Sequence, residues 1–262
     1  MKSTCLLGAI AGDVIGSVYE FTGQKDYGFP LFTQASTFTD DSILTVAVAD
    51  AILHKADYGD YIQTYARQYP HPMGGYGMRF REWLNSDAPK PYHSFGNGSA
   101  MRVSAVGWAF DTVDDVLGEA ERSAAVTHNH PEGIKGAQAV ALAVYLARKR
   151  ATKDDVRREI QLRFGYDLNR TLENIRPSYR FNETCQQTVP EALIAFLESN
   201  DFEDAVRKAI SLGGDADTLA TITGSIAEAY YWGVPTEIEL EVRRRAQPEL
   251  LNVVNLFALH YA

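Results

Sequence analysis

Apolar residues at helical spacing dominate the chain, and three stretches are apolar on almost every side. Residues 43–53 carry Ile43, Leu44, Val46, Val48, Ile52 and Leu53, and residues 137–146 and 219–231 consist mostly of Ala, Val, Leu, Ile, Thr and Gly. A helix without a polar side has to be surrounded by other helices. The pattern therefore predicts an all-α fold with a central buried layer, in one domain over residues 1–262. Helix starts are expected where Thr112 precedes Asp115, Thr152 precedes Asp155, Thr188 precedes Glu191 and Thr236 precedes Glu239, each with the spacing of a capping box. Long alternating patterns are absent, and the best extended candidate, 178–189, is short and polar. Four loops stand out, 22–38, 68–77, 86–97 and 166–187, and long loops within a compact domain often carry function.

Composition sets limits. Hydrophobic residues are 45% and charged residues 23% of the chain, as in ordinary globular proteins, so disorder is not expected. The formal net charge of −9 leaves no overall basic footprint for non-specific nucleic-acid or membrane-surface binding. Cys5 and Cys185 lie far apart, which rules out a disulfide-rich scaffold and a thiolate zinc site. The first twelve residues faintly resemble a signal peptide, but Asp13 interrupts the apolar run and a second one continues to Phe21. No run reaches the roughly 18 apolar residues of a membrane span. The expectation is a cytoplasmic monomer with no membrane partner.

Two acid-dense segments precede two of the all-apolar stretches: Phe38-Thr39-Asp40-Asp41-Ser42 and Gly213-Gly214-Asp215-Ala216-Asp217-Thr218. Helix capping accounts for one acid at each start. It does not account for several carboxylates at the ends of buried helices, where they repel and are costly to desolvate. A hard divalent cation with oxygen ligands removes that cost, so spacing leaves capping and metal binding both open. Ser94-Phe95-Gly96-Asn97-Gly98-Ser99-Ala100-Met101-Arg102 is rich in small residues that let backbone N–H groups approach a phosphate. It is neither a Rossmann fingerprint nor a P-loop. His128 and His130 frame Asn129 before Pro131 and read as substrate-contacting or surface residues rather than metal ligands. Asp13 and Glu20, seven apart in an apolar stretch, would share a face if one helix carried both. Gly8, Gly12 and Gly16 form a smooth stripe suited to close helix packing.

In this order, the segments 12–20, 38–41, 94–102, 127–128 and 213–218 resemble the ADP-ribosylglycohydrolase family. The resemblance implies an all-α orthogonal helical bundle with a binuclear site for two Mg²⁺ or Mn²⁺ at helix N-termini. By motif match, Thr39, Asp40 and Asp41 would ligate from one side, and Asp215, Asp217 and Thr218 from the other. Ser94, Phe95, Gly96, Asn97, Gly98 and Ser99 would follow the diphosphate and ribose, with Phe95 near the adenine and Gly214 and His128 also contacting substrate. Glu20 matches an acid on a flap over the metals and is the expected catalytic residue, with Asp40 and Asp41 assisting from the metal side. The reaction implied is hydrolysis at C1″ of ADP-ribose attached to a protein side chain, a small molecule or another ADP-ribose, with a nucleic-acid acceptor also open. Two alternatives stay open: a metal-dependent ADP-ribose binding protein without turnover, and a two-metal phosphohydrolase splitting the diphosphate. Ser42 departs from the family pattern, where a second threonine is usual.

Overall fold

The structure, a computed structural model, describes residues 4–262. These form fifteen helices and no strand. The first half holds α1 (Leu7–Gly16), α2 (Asp40–His54), α3 (Tyr58–Gln68), α4 (Met78–Leu84), α5 (Gly98–Met101), α6 (Ser104–Ala109), α7 (Val113–Ala125) and α8 (Pro131–Arg148). The second holds α9 (Lys153–Phe164), α10 (Leu172–Ile175), α11 (Cys185–Leu197), α12 (Phe202–Ile210), α13 (Ala216–Tyr231), α14 (Thr236–Arg245) and α15 (Pro248–Tyr261). Isolated bridges join Thr39 to Met73 and Gly96 to Thr184. No helix among the described residues is long and apolar enough to cross a membrane.

The all-apolar stretches become α2, α8 and α13, all largely buried. α13 is the axis of the fold and packs against α1, α8, α11 and α12. The glycine stripe of α1 explains how its first contact is made. A methyl group on Gly8 would lie 2.4 Å from the Gly224 carbonyl oxygen, on Gly12 2.0 Å from that of Ala220, and on Gly16 2.5 Å from the Asp217 Cα. All three neighbours are backbone and cannot rotate away, so the two helices meet main chain to main chain. This contact carries the end of α1 to the start of α13, where Asp217 lies. α1 has no side-chain cap of its own. Instead Gly8 N–H donates to Glu228 Oε2 of α13 at 2.8 Å. Burial pushes the Glu228 carboxyl up to about 7.

Thr112 and Thr152 cap α7 and α9 as their spacing predicts, the latter in a full capping box. The other two starts differ. α11 begins at Cys185, so Thr188 lies inside it and donates to the Asn182 carbonyl at 3.1 Å. The extended candidate 178–189 is thus a loop running into a helix. Burying Val189, Ala192, Leu193 and Phe196 on that helix outweighs the β-branched local pattern. At α14, Pro235 takes the cap position and Thr236 is the first helical residue. The start resembling a signal peptide is α1, wholly buried; Met1, Lys2 and Ser3 lie outside the described residues.

Candidate active site

The site begins with a buried carboxylate. Asp13 of α1 accepts hydrogen bonds from Thr39 N–H at 2.8 Å, Thr39 Oγ1 at 2.7 Å and Ser42 N–H at 3.0 Å, and from the Ser42 hydroxyl. Four donors at the start of α2 thereby fix α1 against it. Burial raises the Asp13 carboxyl to about 6 in spite of these bonds, which pull the other way. Serine at position 42 keeps the hydroxyl that this contact uses. Capping is real on this side, since Thr39 Oγ1 also accepts from Asp41 N–H at 3.2 Å.

Capping does not explain the acids that follow. Asp41 is buried, and its Oδ1 has no hydrogen-bond partner among the described residues. Its Oδ2 accepts from Thr218 Oγ1 of α13 at a long 3.4 Å. Asp215 stands at the N-cap of α13 yet makes no cap bond; its Oδ2 accepts from Asn97 Nδ2 at 2.7 Å. Asp40, Asp41 and Asp217 are pushed well above the usual carboxylate range, first by burial and then by one another and by Asp13 and Asp215.

Glu20 joins this group from an unexpected place. α1 ends at Gly16, so Asp13 and Glu20 do not share a helical face; Glu20 sits in the turns of residues 17–23. Glycine at position 16 and the short turns bring its carboxylate back over α13. Ligand atoms of Glu20, Asp215 and Asp217 all lie within 4.8 Å of one another. Burial, then Asp215, Glu183 and Asp13, raise Glu20 to about 7. The orphaned Asp41 oxygen and these converging carboxylates are an oxygen-only donor set that fits a divalent cation.

These acids line a cavity of about 290 Å³. Ser94, Gly96, Asn97 and Gly98 line it too, with Arg79, Arg102 and His128. Loop 94–99 is held by Asn97 N–H donating to the Glu183 carbonyl at 2.7 Å and Cys185 N–H to the Phe95 carbonyl at 2.9 Å. Beneath it, the fully buried Arg102 donates to Thr127 Oγ1 at 2.8 Å. The Thr127 hydroxyl is 2.7 Å from His128 Nδ1; with the hydroxyl as donor in this pair, the ring N–H falls on Nε2. Burial, with Arg102 and Arg79, holds the His128 pKa well below its ordinary value, so the ring is neutral. Its Nε2 lies about 3.3 Å from where a Gly98 methyl group would be, so glycine keeps this donor open to the cavity.

Not every expected residue reaches the cavity. Ser99 is buried and donates to the Gly133 carbonyl at 2.7 Å, tying α5 to α8. Phe95 points outward and packs against the His130 ring at 5.3 Å. Gly214 lies against Tyr179, whose ring would be 2.3 Å from a methyl group there. Thr39 keeps its hydroxyl on Asp13 and Asp41. Conversely, Glu183, Arg79 and Tyr92 line the cavity without a sequence signal of their own. Glu183 arrives because the Gly96–Thr184 bridge pairs two segments far apart in the chain. Cys5 and Cys185 are both buried and unpaired.

With this geometry in hand, the likeness to known proteins is informative. ADP-ribosylhydrolase ARH3 of Mus musculus is 29% identical over 305 aligned positions, covering 87% of this chain and 82% of its own. ADP-ribosylarginine hydrolase Tri1 of Pseudomonas putida (strain GB-1) is 27% identical, over 88% of this chain and 71% of its own. A solved structure titled ADP-ribosylglycohydrolase-related protein complex superposes with a TM-score of 0.73 at 25% identity, covering 97% of this chain and 95% of that one. The family profile described as ADP-ribosylglycohydrolase matches residues 3–259. The all-helical chain, whose acids and glycine loop line one cavity, belongs to the ADP-ribosylglycohydrolase family and is a glycohydrolase.

Proposed function

We propose that this chain, as one domain, hydrolyses the bond between C1″ of ADP-ribose and an acceptor, with two Mg²⁺ or Mn²⁺ held by Asp40, Asp41, Asp215, Asp217 and Thr218, while Thr39 positions the start of α2 through Asp13. The observation that carries the reading is the buried, unpartnered Asp41 oxygen beside converging carboxylates, in a cavity also lined by Gly96, Gly98 and His128. Bound cations would supply Lewis-acid polarisation and hold the ribose hydroxyls in place. The chain's own groups do the rest. Gly96 and Gly98 admit the diphosphate close to the backbone, and His128 Nε2–H donates to it. Arg102 adds positive potential beneath the loop; burial lowers its pKa to about 10, which still leaves it charged at neutral pH. Glu20, beside the acids in the cavity, takes a proton from the attacking water. The C1″–acceptor bond breaks, the water oxygen bonds to C1″, and the proton on Glu20 passes to the leaving acceptor, which restores the carboxylate.

Chelation tests the reading. Each carboxyl of the cluster has a folded pKa above its unfolded value. Between the two the folded state holds the extra proton, so stability falls as pH rises from about 4 through 7. Cation binding requires the ionised forms and offsets this loss. After EDTA treatment, release of ADP-ribose from an ADP-ribosylated peptide should stop and return with Mg²⁺ or Mn²⁺. The Tm difference between metal-free and metal-loaded protein should be larger at pH 8 than at pH 5. Full activity and an unchanged Tm in EDTA, with no metal on elemental analysis, would contradict the proposal.

A further inference from the structure

Beside the carboxylate pocket lies a second groove with the opposite charge. Lys25, Arg176 and Arg180 line it with Gly23, Pro177 and Gly213, around about 540 Å³. In a chain of net charge −9, these three cations have no ion-pair partner among the described residues. Lys25 Nζ donates to the carbonyls of Arg176 and Tyr179, both at 2.8 Å, and to that of Leu212. Arg176 Nε donates to the Ser211 carbonyl at 3.1 Å, and Arg180 Nη1 to the carbonyls of Pro177 at 2.9 Å and Tyr179 at 2.7 Å. Backbone carbonyls thus take all three Lys25 N–H donors, while Arg176 and Arg180 keep guanidinium donors without a partner among the described residues. Burial and the repulsion of Arg180 and Arg176 both lower the Lys25 pKa.

Next to the groove, Phe21 and Phe181 stack with ring centroids 5.5 Å apart. They are 72% and 42% exposed, which is unusual for large apolar side chains unless a partner covers them. Phe21 follows Glu20, Phe181 follows Arg180, and Gly213 precedes the Gly214–Asp215 turn. Chain neighbours thus link groove and ring pair to the acids, and Glu183, two residues beyond Phe181, lines the carboxylate pocket.

We propose that this groove and the Phe21–Phe181 pair form an acceptor-side subsite for single-stranded nucleic acid, with backbone phosphates on Arg176 and Arg180 and a base on the rings. The proposal rests on the hydrolase reading for the meaning of "acceptor". The guanidinium fork matches phosphate oxygens, and exposed aromatic rings offer stacking that tolerates any base. An acidic peptide would satisfy the cations but leave the rings without a planar partner.

Fluorescence anisotropy of a labelled oligothymidylate of about ten nucleotides, titrated with the full chain, tests it. Wild type should bind with marked salt dependence. Arg176→Ala/Arg180→Ala should lose at least about tenfold in affinity and lower the salt slope by about 1 to 2. Phe21→Ala/Phe181→Ala should lose at least about tenfold in affinity with the slope kept. Arg180→Glu, a change at an exposed side chain, should weaken binding too, which covers any folding failure of the double variant. Affinity for free ADP-ribose should stay at the wild-type value in all of them. Salt-independent or absent binding, equal binding by Arg180→Glu, or displacement of the strand by polyglutamate at equal concentration would overturn the proposal. Strand binding without release of ADP-ribose from any substrate would instead overturn the hydrolase reading and leave the subsite standing.

Discussion

Replacing Glu20 with glutamine is expected to lower kcat by about 10² to 10⁴, the usual range for a general acid or base. The side chain keeps its size and its hydrogen-bonding oxygen, so the turns of residues 17–23 should persist. What is lost is a carboxylate able to take up and return a proton. Affinity for ADP-ribose should change far less, because Gly96, Gly98 and His128 of the same cavity would carry the diphosphate. Glu20 also approaches Asp215 and Asp217 closely enough to share a cation with them. The comparison therefore has to be made at saturating metal. Equal kcat for wild type and Glu20→Gln there would remove the catalytic assignment, and an equal fall in ADP-ribose affinity would make Glu20 a binding residue instead.

Asp217→Asn should also lose at least about 10² in turnover, because a cation's Lewis-acid contribution is worth several kcal/mol. The backbone role of the residue survives: Asp217 Oδ1 accepts from Thr218 N–H at 2.9 Å, and an asparagine oxygen can do the same. The stability change has the opposite sign to most core substitutions. Asp217 is buried against Asp215, Asp41 and Glu20, so removing its charge relieves repulsion in the metal-free protein. Calorimetry should show metal-free Asp217→Asn melting at or above metal-free wild type, with a smaller rise on adding Mg²⁺ or Mn²⁺. Wild-type turnover in this variant would reduce the motif to a helix start.

Those two expectations trace back to residues that were readable in the chain. The acid pairs stand immediately before all-apolar stretches, and burial of a helix follows from the lack of a polar side. The glycine stripe likewise announced a close backbone contact, although its partner, α13, could not be read from α1 alone. Other parts were hidden because they depend on distant chain segments. Asp13 looked like a partner of Glu20 on one helix and instead holds the start of α2 through Thr39 and Ser42. Glu183 carries no local mark and reaches the cavity through a single bridge to Gly96. Thr188 had cap spacing but falls inside α11, where burial overrode the local pattern. The cation groove was invisible for a similar reason: Lys25, Arg176 and Arg180 lie up to 155 positions apart in a chain whose overall charge is negative.

The central claim is that water attacks C1″ of the distal ribose. The most direct measurement is mass spectrometry of the products formed from an ADP-ribosylated peptide in ¹⁸O-labelled water with Mg²⁺ or Mn²⁺ present. The account predicts unmodified, unlabelled peptide and intact ADP-ribose carrying one ¹⁸O at C1″. AMP together with a peptide still bearing ribose phosphate, or ¹⁸O in the peptide instead of the sugar, would contradict it.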